Sequence, residues 1–412
     1  MIDAPGPRAS VMRSLRAMPV WPLAATLAVQ TLATAALFSV PTAAPEIAQD
    51  LNVPGPLVGV FVSVVYSVGI VSAVLSPGFI WRYGAVRVSQ AVLVGVVGML
   101  AVAAGGGTAA MLGLAAVTLG LGYGATAPAS THLLVPQTPR AVFNLVMSVR
   151  QVGVPLGGVL SALVVPPLTL ALGWRLALLV QVGPVLALLA LMELPRRRWD
   201  VARDPTRPVL SGALLEPFRL LRQDRRLRAL SAASFFYSGV QLCFIAFMTV
   251  QLTTVVGFSL IDAGYALAAY QIAGAVSRPI WGWMADRTLS PSRTLALHGL
   301  GMAAACVAAG LFSAGWPKAP VLLVAVLAGA TASGYTGVAY AQYARLGGAR
   351  RTEATGLGTA AMFSGVMLIP SAFGVTVARL GDYLPPYAAL AAAAAASAAL
   401  LWSESGEGRG GA

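Results

Sequence analysis

The sequence predicts an all-α membrane protein whose twelve transmembrane helices form two six-helix, pseudo-symmetric halves. Three observations carry that expectation. The 412 residues are 58% hydrophobic and only 10% charged, against about 25% charged in soluble domains, too few to solvate a globular surface. Apolar runs of about 20 residues, enough to cross a hydrocarbon core of about 30 Å, recur along nearly the whole chain. The basic residues, finally, fall almost entirely in every second gap between those runs. The 44 glycines and 27 prolines fit this reading, because membrane helices tolerate both.

In order, the runs place spans at 20–41, 56–80, 86–105, 109–134, 143–167, 173–194, 229–254, 262–285, 293–314, 319–343, 354–380 and 384–403. The first follows Arg13 and Arg16 and precedes Ala43-Ala44, as a secretory leader would. It is too long for one and more spans follow, so it reads as an uncleaved first span. Gly105-Gly106-Gly107 makes the tight turn between the third and fourth spans. Of the 27 Lys and Arg residues, only Arg175, Lys318 and Arg379 lie opposite the termini; the other 24 lie on the terminal side or at span ends facing it. The positive-inside rule makes that side cytoplasmic, so a bacterial cytoplasmic (inner) membrane location with both termini inside is expected.

The longest polar break, 195–228, separates an N-terminal half (1–194) from a C-terminal half (229–403) and leaves 404–412 as a disordered tail. Inside the break, Arg196-Arg197-Arg198 precedes LEPFRLLRQDRRLRAL, whose apolar and basic residues alternate at helical spacing. That reads as a helix lying on anionic lipid, so membrane lipids are expected partners. The +13 charge is scattered through short loops and forms no patch for nucleic acid. Cys243 and Cys306 sit inside apolar runs as packing residues.

The halves echo each other. After the eighth span the chain reads Gly282-Trp283-Met284-Ala285-Asp286-Arg287; after the second it reads Pro77 through Trp81-Arg82-Tyr83-Gly84-Ala85-Val86-Arg87. Gln30 and Gln241 each lie near the middle of the first span of their half. Repeated six-span units suit a carrier that rocks two halves about a central site.

On these residues the chain resembles the major facilitator superfamily, with its Gly-x-x-x-Asp-Arg-x-Gly-x-Arg-Arg loop after span 2 and a partial copy after span 8. The second copy keeps Gly282, Asp286 and Arg287; the first keeps Arg82, Gly84 and Arg87 but has Pro77 and Trp81 where Gly and Asp stand in the family. The resemblance implies that this loop latches the inner gate against the start of the eleventh span, and the first copy lacks its carboxylate. A second match, Ser148-Val149-Arg150-Gln151-Val152-Gly153-Val154-Pro155-Leu156-Gly157-Gly158, looks like the fifth span of cyanate-permease-like members. It also partly resembles a drug–proton antiporter signature. Read from the residues alone, Gly153, Gly157 and Gly158 permit close helix packing, and Pro155 frees the carbonyl of Gln151.

The resemblance implies a rocker-switch secondary transporter, symport or antiport, and the candidate site residues follow from depth. Arg150 lies about seven residues into its span, where an arginine is costly and faces a cavity, a partner or, by snorkelling, the interface. With Gln151, Gln30, Gln241, Gln271 and Tyr270 it forms the candidate substrate-binding set, the glutamines offering both donors and acceptors. Arg82, Gly84, Arg87, Arg278, Gly282, Asp286 and Arg287 form the candidate gate, Arg278 by its nearness to Asp286, as a gate or lipid-headgroup contact; because some carboxylate transporters of the superfamily use an arginine in this span, a substrate role for Arg278 stays open. No Asp or Glu lies deep in any span, which speaks against a proton-coupled exporter of cationic drugs. A small organic solute, anionic or polar neutral, is the expected substrate. A multidrug or metabolite exporter is the alternative, and a non-transporting membrane sensor a more distant one. A coupling ion such as H+ is a further expected partner. Nothing resembles a phosphate-binding loop, a metal-ligand spacing or a nucleophile with its base, so no enzyme activity, cofactor or metal is expected, and the chain is expected to act as a monomer.

Overall fold

A computed structural model describes residues 18–52, 55–201, 203–209 and 216–404. Twelve helical rods run through these residues. In the first half they are α1 (Val20–Thr42), α2 (Gly55–Tyr83), α3 (Ala85–Gly105), α4 (Ala109–Tyr123 with Thr126–Leu134), α5 (Phe143–Gln151 with Gly153–Leu172) and α6 (Trp174–Val180 with Val182–Glu193). In the second they are α7 (Arg225–Gln251), α8 (Leu260–Arg287), α9 (Pro291–Gly310), α10 (Lys318–Ala328 with Thr336–Gly347), α11 (Arg351–Leu380) and α12 (Leu384–Glu404). Nine described segments are apolar and long enough to cross a membrane, Lys318–Leu380 counting once although it holds both α10 and α11. The two that fall short, α8 and α9, are the rods in which Arg278 and His298 interrupt the apolar run.

Local chemistry sets where the rods begin and break. Thr108, Ser259 and Ser290 cap α4, α8 and α9 through their hydroxyl oxygens, satisfying N–H groups that have no partner within the helix. Asp224 does the same for α7, accepting from the N–H groups of Arg226 (2.8 Å) and Leu227 (3.2 Å). The basic stretch read as one surface helix is therefore split at Asp224 into Glu216–Gln223 and the first turns of α7. α5 breaks at Val152, three residues before Pro155, which has no N–H to give Gln151. α10 passes through a π-turn at Gly329–Ser333. The carbonyl of Ala330 there accepts from Trp281 Nε1 (2.8 Å) and Ser277 Oγ (3.1 Å) of α8.

The two halves meet along equivalent helix pairs, α2 with α11 and α8 with α5, then α4 with α11 and α10 with α5. Small residues let backbones touch there. Gly356 of α11 lies on the backbone of Ala73 in α2, and Gly282 of α8 and Gly337 of α10 both lie on Ser148 in α5, each leaving no room for a Cβ.

Candidate functional site

A cavity of about 100 Å³ lies where the halves face each other, with Gln30 (α1), Gln151 (α5), Gln241 (α7), Arg278 (α8), Tyr340 (α10) and Phe363 (α11) in its wall. Two arginines serve it differently. Arg278, placed with the gate by sequence distance alone, is instead a cavity-wall residue only 1% exposed. Its Nη2 donates to Ser333 Oγ at 3.0 Å, while its Nε and Nη1 have no partner. The π-turn of α10 carries Ser333 and so sets this one contact. Seven residues separate Arg278 from the end of its span in the sequence reading, and residue counting gives depth along a helix but not the face a side chain leaves from.

Arg150 is equally buried, at 1% exposure, but lies behind the wall. Its Nη1 donates to Gln151 Oε1, and its Nη2 donates to Gln30 Oε1 at 2.8 Å. The guanidinium carbon stands 6.0 Å from the ring centroid of Tyr340 in the other half, within cation–π range. Gln30 passes the network on, its Nε2 donating to Thr34 Oγ1 (3.0 Å), which in turn is 3.1 Å from the hydroxyl of Tyr123. Neither arginine has an ion-pair partner among the described residues. Two buried guanidiniums without a carboxylate are costly unless an anion joins them.

Of the remaining sequence candidates, Gln241 lines the cavity, and its backbone carbonyl accepts from the hydroxyl of the fully buried Tyr270 at 3.2 Å. Gln271 is half-buried and outside the wall. Residues that sequence reasoning passed over include Ser333 and Phe363. Phe363 stacks on Tyr123 (5.7 Å) and meets Tyr66 edge-on (4.8 Å), closing an aromatic contact between halves. A phenylalanine in a span carries no sequence signal to separate it from packing.

The gate candidates gather at the end of the bundle where α1 begins and α12 ends. Asp286 accepts from the backbone N–H groups of Asn144 (3.0 Å) and Leu145 (2.9 Å) and from Asn144 Nδ2 (2.7 Å), capping α5 across the inter-half boundary. Arg345 of α10 stands 3.7 Å from the same carboxylate, and Gly282 lies one turn back against Ser148. In the first copy, Trp81 Nε1 donates to Glu353 Oε1 at 3.0 Å, at the start of α11. Beside it, His132 Nδ1 is 2.9 Å from Thr352 Oγ1, and its ring meets Trp81 edge-on at 4.7 Å. Arg82 Nη1 donates to the carbonyl of Arg207 (3.4 Å), Arg87 pairs with Glu193 (3.1 Å), and Gly84 turns the chain between α2 and α3 at φ +95°. Arg287 is exposed at the end of α8. Among the described residues, the hydrogen bonds and ion pairs joining the two halves lie at this end or near mid-bundle, so the terminal end is closed.

Fold and family agree. The sequence profile of the Major Facilitator Superfamily matches residues 26–265 and again 230–409, so the chain belongs to that superfamily and is a multi-pass membrane protein. A curated relative, "Probable nitrate/nitrite transporter NarK2" of Mycobacterium tuberculosis, is 30% identical over 209 residues, covering 49% of this chain and 44% of the relative. The matched stretch is thus less than half the length of that relative. Among solved structures, the Escherichia coli fucose:proton symporter FucP superposes with TM-score 0.70 at 14% identity, covering 93% of this chain and 98% of FucP. The human organic anion transporter MFSD10 (TETRAN) gives TM-score 0.71 at 18% identity, covering 93% and 99%. At these identities the two structures speak to the fold alone.

Proposed function

We propose that this protein is a secondary active transporter, not an enzyme, that carries a small anion by rocker-switch alternating access. The carrying observation is Arg278, buried in the cavity wall with two guanidinium donors unpartnered and no carboxylate beside it. A planar guanidinium with open N–H groups matches the oxygens of a carboxylate or other oxyanion. In this reading Arg278 is the first anchor, Gln30, Gln151 and Gln241 orient the solute, and Arg150 adds positive potential from behind. The cavity of about 100 Å³ is well under the roughly 300 Å³ at which drug-sized pockets begin, which favours a small solute over the multidrug alternative. The name of the mycobacterial relative puts nitrate and nitrite beside small carboxylates on the panel to be tried.

The arginine distribution makes the terminal end cytoplasmic, so the closed end is the inner gate and the conformation is not inward-open. The same reading puts the chain in a bacterial inner membrane as a monomer of two halves, 1–194 and 229–403, joined by 195–228, with a coupling ion such as H+.

Uptake of nitrate, nitrite, formate and acetate into proteoliposomes tests the proposal. Replacing a charged donor in a buried site costs about 1.5–3 kcal/mol, so Arg278→Ala should slow uptake of the preferred anion roughly 10–100-fold, and Arg278→Lys less. Unchanged anion uptake in Arg278→Ala, or efflux of bulky cationic dyes by the parent, would remove the anion reading.

A further inference from the structure

The connection between the halves does more than join them. Asp200 and residues 203–209 lie against the first gate loop through a series of specific contacts. Asp200 is 7% exposed and accepts from the N–H groups of Val86 (2.9 Å) and Arg87 (3.3 Å), capping α3. Its carboxylate fills the space where a Cβ on Gly84 would project. Asp204 donates its N–H to the carbonyl of Trp81 at 2.8 Å, and its Oδ1 binds the N–H (3.0 Å) and hydroxyl (2.6 Å) of Thr206, holding the turn. The carbonyl of Arg207 takes the Arg82 hydrogen bond already described, and Gly78 leaves room for the carbonyl of Val209.

From this seat one side chain reaches the other half. The Arg207 guanidinium lies over the ring of Trp81, 5.0 Å from its centroid, and its Nη2 stands 3.6 Å from Glu353 Oε1. Glu353 is 3% exposed and accepts from Trp81, whose ring packs against His132, itself bonded to Thr352; Arg351, two residues earlier in α11, also interacts with Glu353 electrostatically. Arg207 thus supplies to Glu353 the positive charge that Arg345 supplies to Asp286. The difference is its origin: Arg345 belongs to a membrane helix, whereas Arg207 belongs to the connection.

We infer that Asp200 and residues 203–209 are a strap on the terminal-end gate, with Asp200 the anchor and Arg207 the positioning residue that holds Glu353 and Trp81 together. Opening that end separates α2 from α11, so Glu353 must leave either Arg207 or Trp81. The strap thereby biases the transport cycle toward the state in which this end is shut. This rests on alternating access but not on the identity of the solute.

The test reads the gate without any substrate. Val366 lines the cavity, and the native Cys243 and Cys306 are buried, so Val366→Cys offers one reporter thiol. In inside-out vesicles, a membrane-impermeant maleimide should label it at least threefold faster when Arg207→Gln is added. Arg207→Lys, which keeps the charge, should stay near the parent rate, and Asp200→Asn should fall between. Thermal unfolding of each variant in detergent verifies that it is folded. An unchanged rate in Arg207→Gln, or equal acceleration by Gln and Lys, would overturn the strap.

Discussion

The two gate loops perform one task with opposite chemistry. After α8, a carboxylate on the loop, Asp286, accepts from the backbone N–H groups that open α5. After α2, the equivalent position is Trp81, which donates to a carboxylate on the far side, Glu353 at the opening of α11. The acceptor has moved across the boundary between halves. Each latch still joins one buried carboxylate to an arginine from another segment, Arg345 in the second and Arg207 in the first. What is kept between the repeats is the pairing across the seam, and which side carries the charge is free to change.

That comparison can be broken most sharply by Trp81→Asp, which restores the family carboxylate but sets it against Glu353. Two charges about 4 Å apart at an effective dielectric near 20 repel by about 4 kcal/mol. The terminal end should then open, seen as fast labelling of a cavity cysteine from that face, and adding Glu353→Gln should restore closure. A smaller effect is expected from Asp286→Ala, which strips acceptors from two α5 N–H groups and leaves Arg345 alone. Charge-assisted bonds of this kind are worth about 1.5–3 kcal/mol each, so a loss of about 3 kcal/mol should appear as a lowered unfolding temperature and faster labelling. Trp81→Phe removes one donor while keeping the ring, and should weaken closure by about 2 kcal/mol, with the Arg207 contact to Glu353 intact. The mildest probe is Gly84→Ala. A side chain at φ +95° costs about 1 kcal/mol or more and would press on Asp200, so the first latch should loosen while the second is untouched. A similar response of both latches would show that they are not separate devices.

Much of this architecture was legible in the sequence because span length and charge side are one-dimensional properties. Arg175, Lys318 and Arg379 stood out from 24 other basic residues without any coordinates, and the Gly282–Asp286 repeat announced the family. Arg150 is buried, at 1% exposure. Facing was not legible. Arg278, grouped with the gate, stands in the cavity wall, and Arg150, grouped with the substrate set, stands behind it, because 100° of helical rotation per residue separates wall from interior. Trp81 read as a lost carboxylate because its partner, Glu353, lies 272 residues away. The π-turn that brings Ser333 to Arg278 leaves no mark in the run Gly329-Ala330-Thr331-Ala332-Ser333, whose small residues equally suit an unbroken helix.

That no carboxylate among the described residues stands beside either buried arginine has an electrical consequence. A charge crossing the full membrane field gains or loses about 2.3 kcal/mol per 100 mV. An empty cavity flanked by two guanidiniums carries two positive charges into part of that field, and a cavity holding a monovalent anion carries one. If the solute is an anion, as proposed, empty and loaded carriers feel the membrane voltage unequally, and the voltage itself becomes one of the forces that sets how fast each returns.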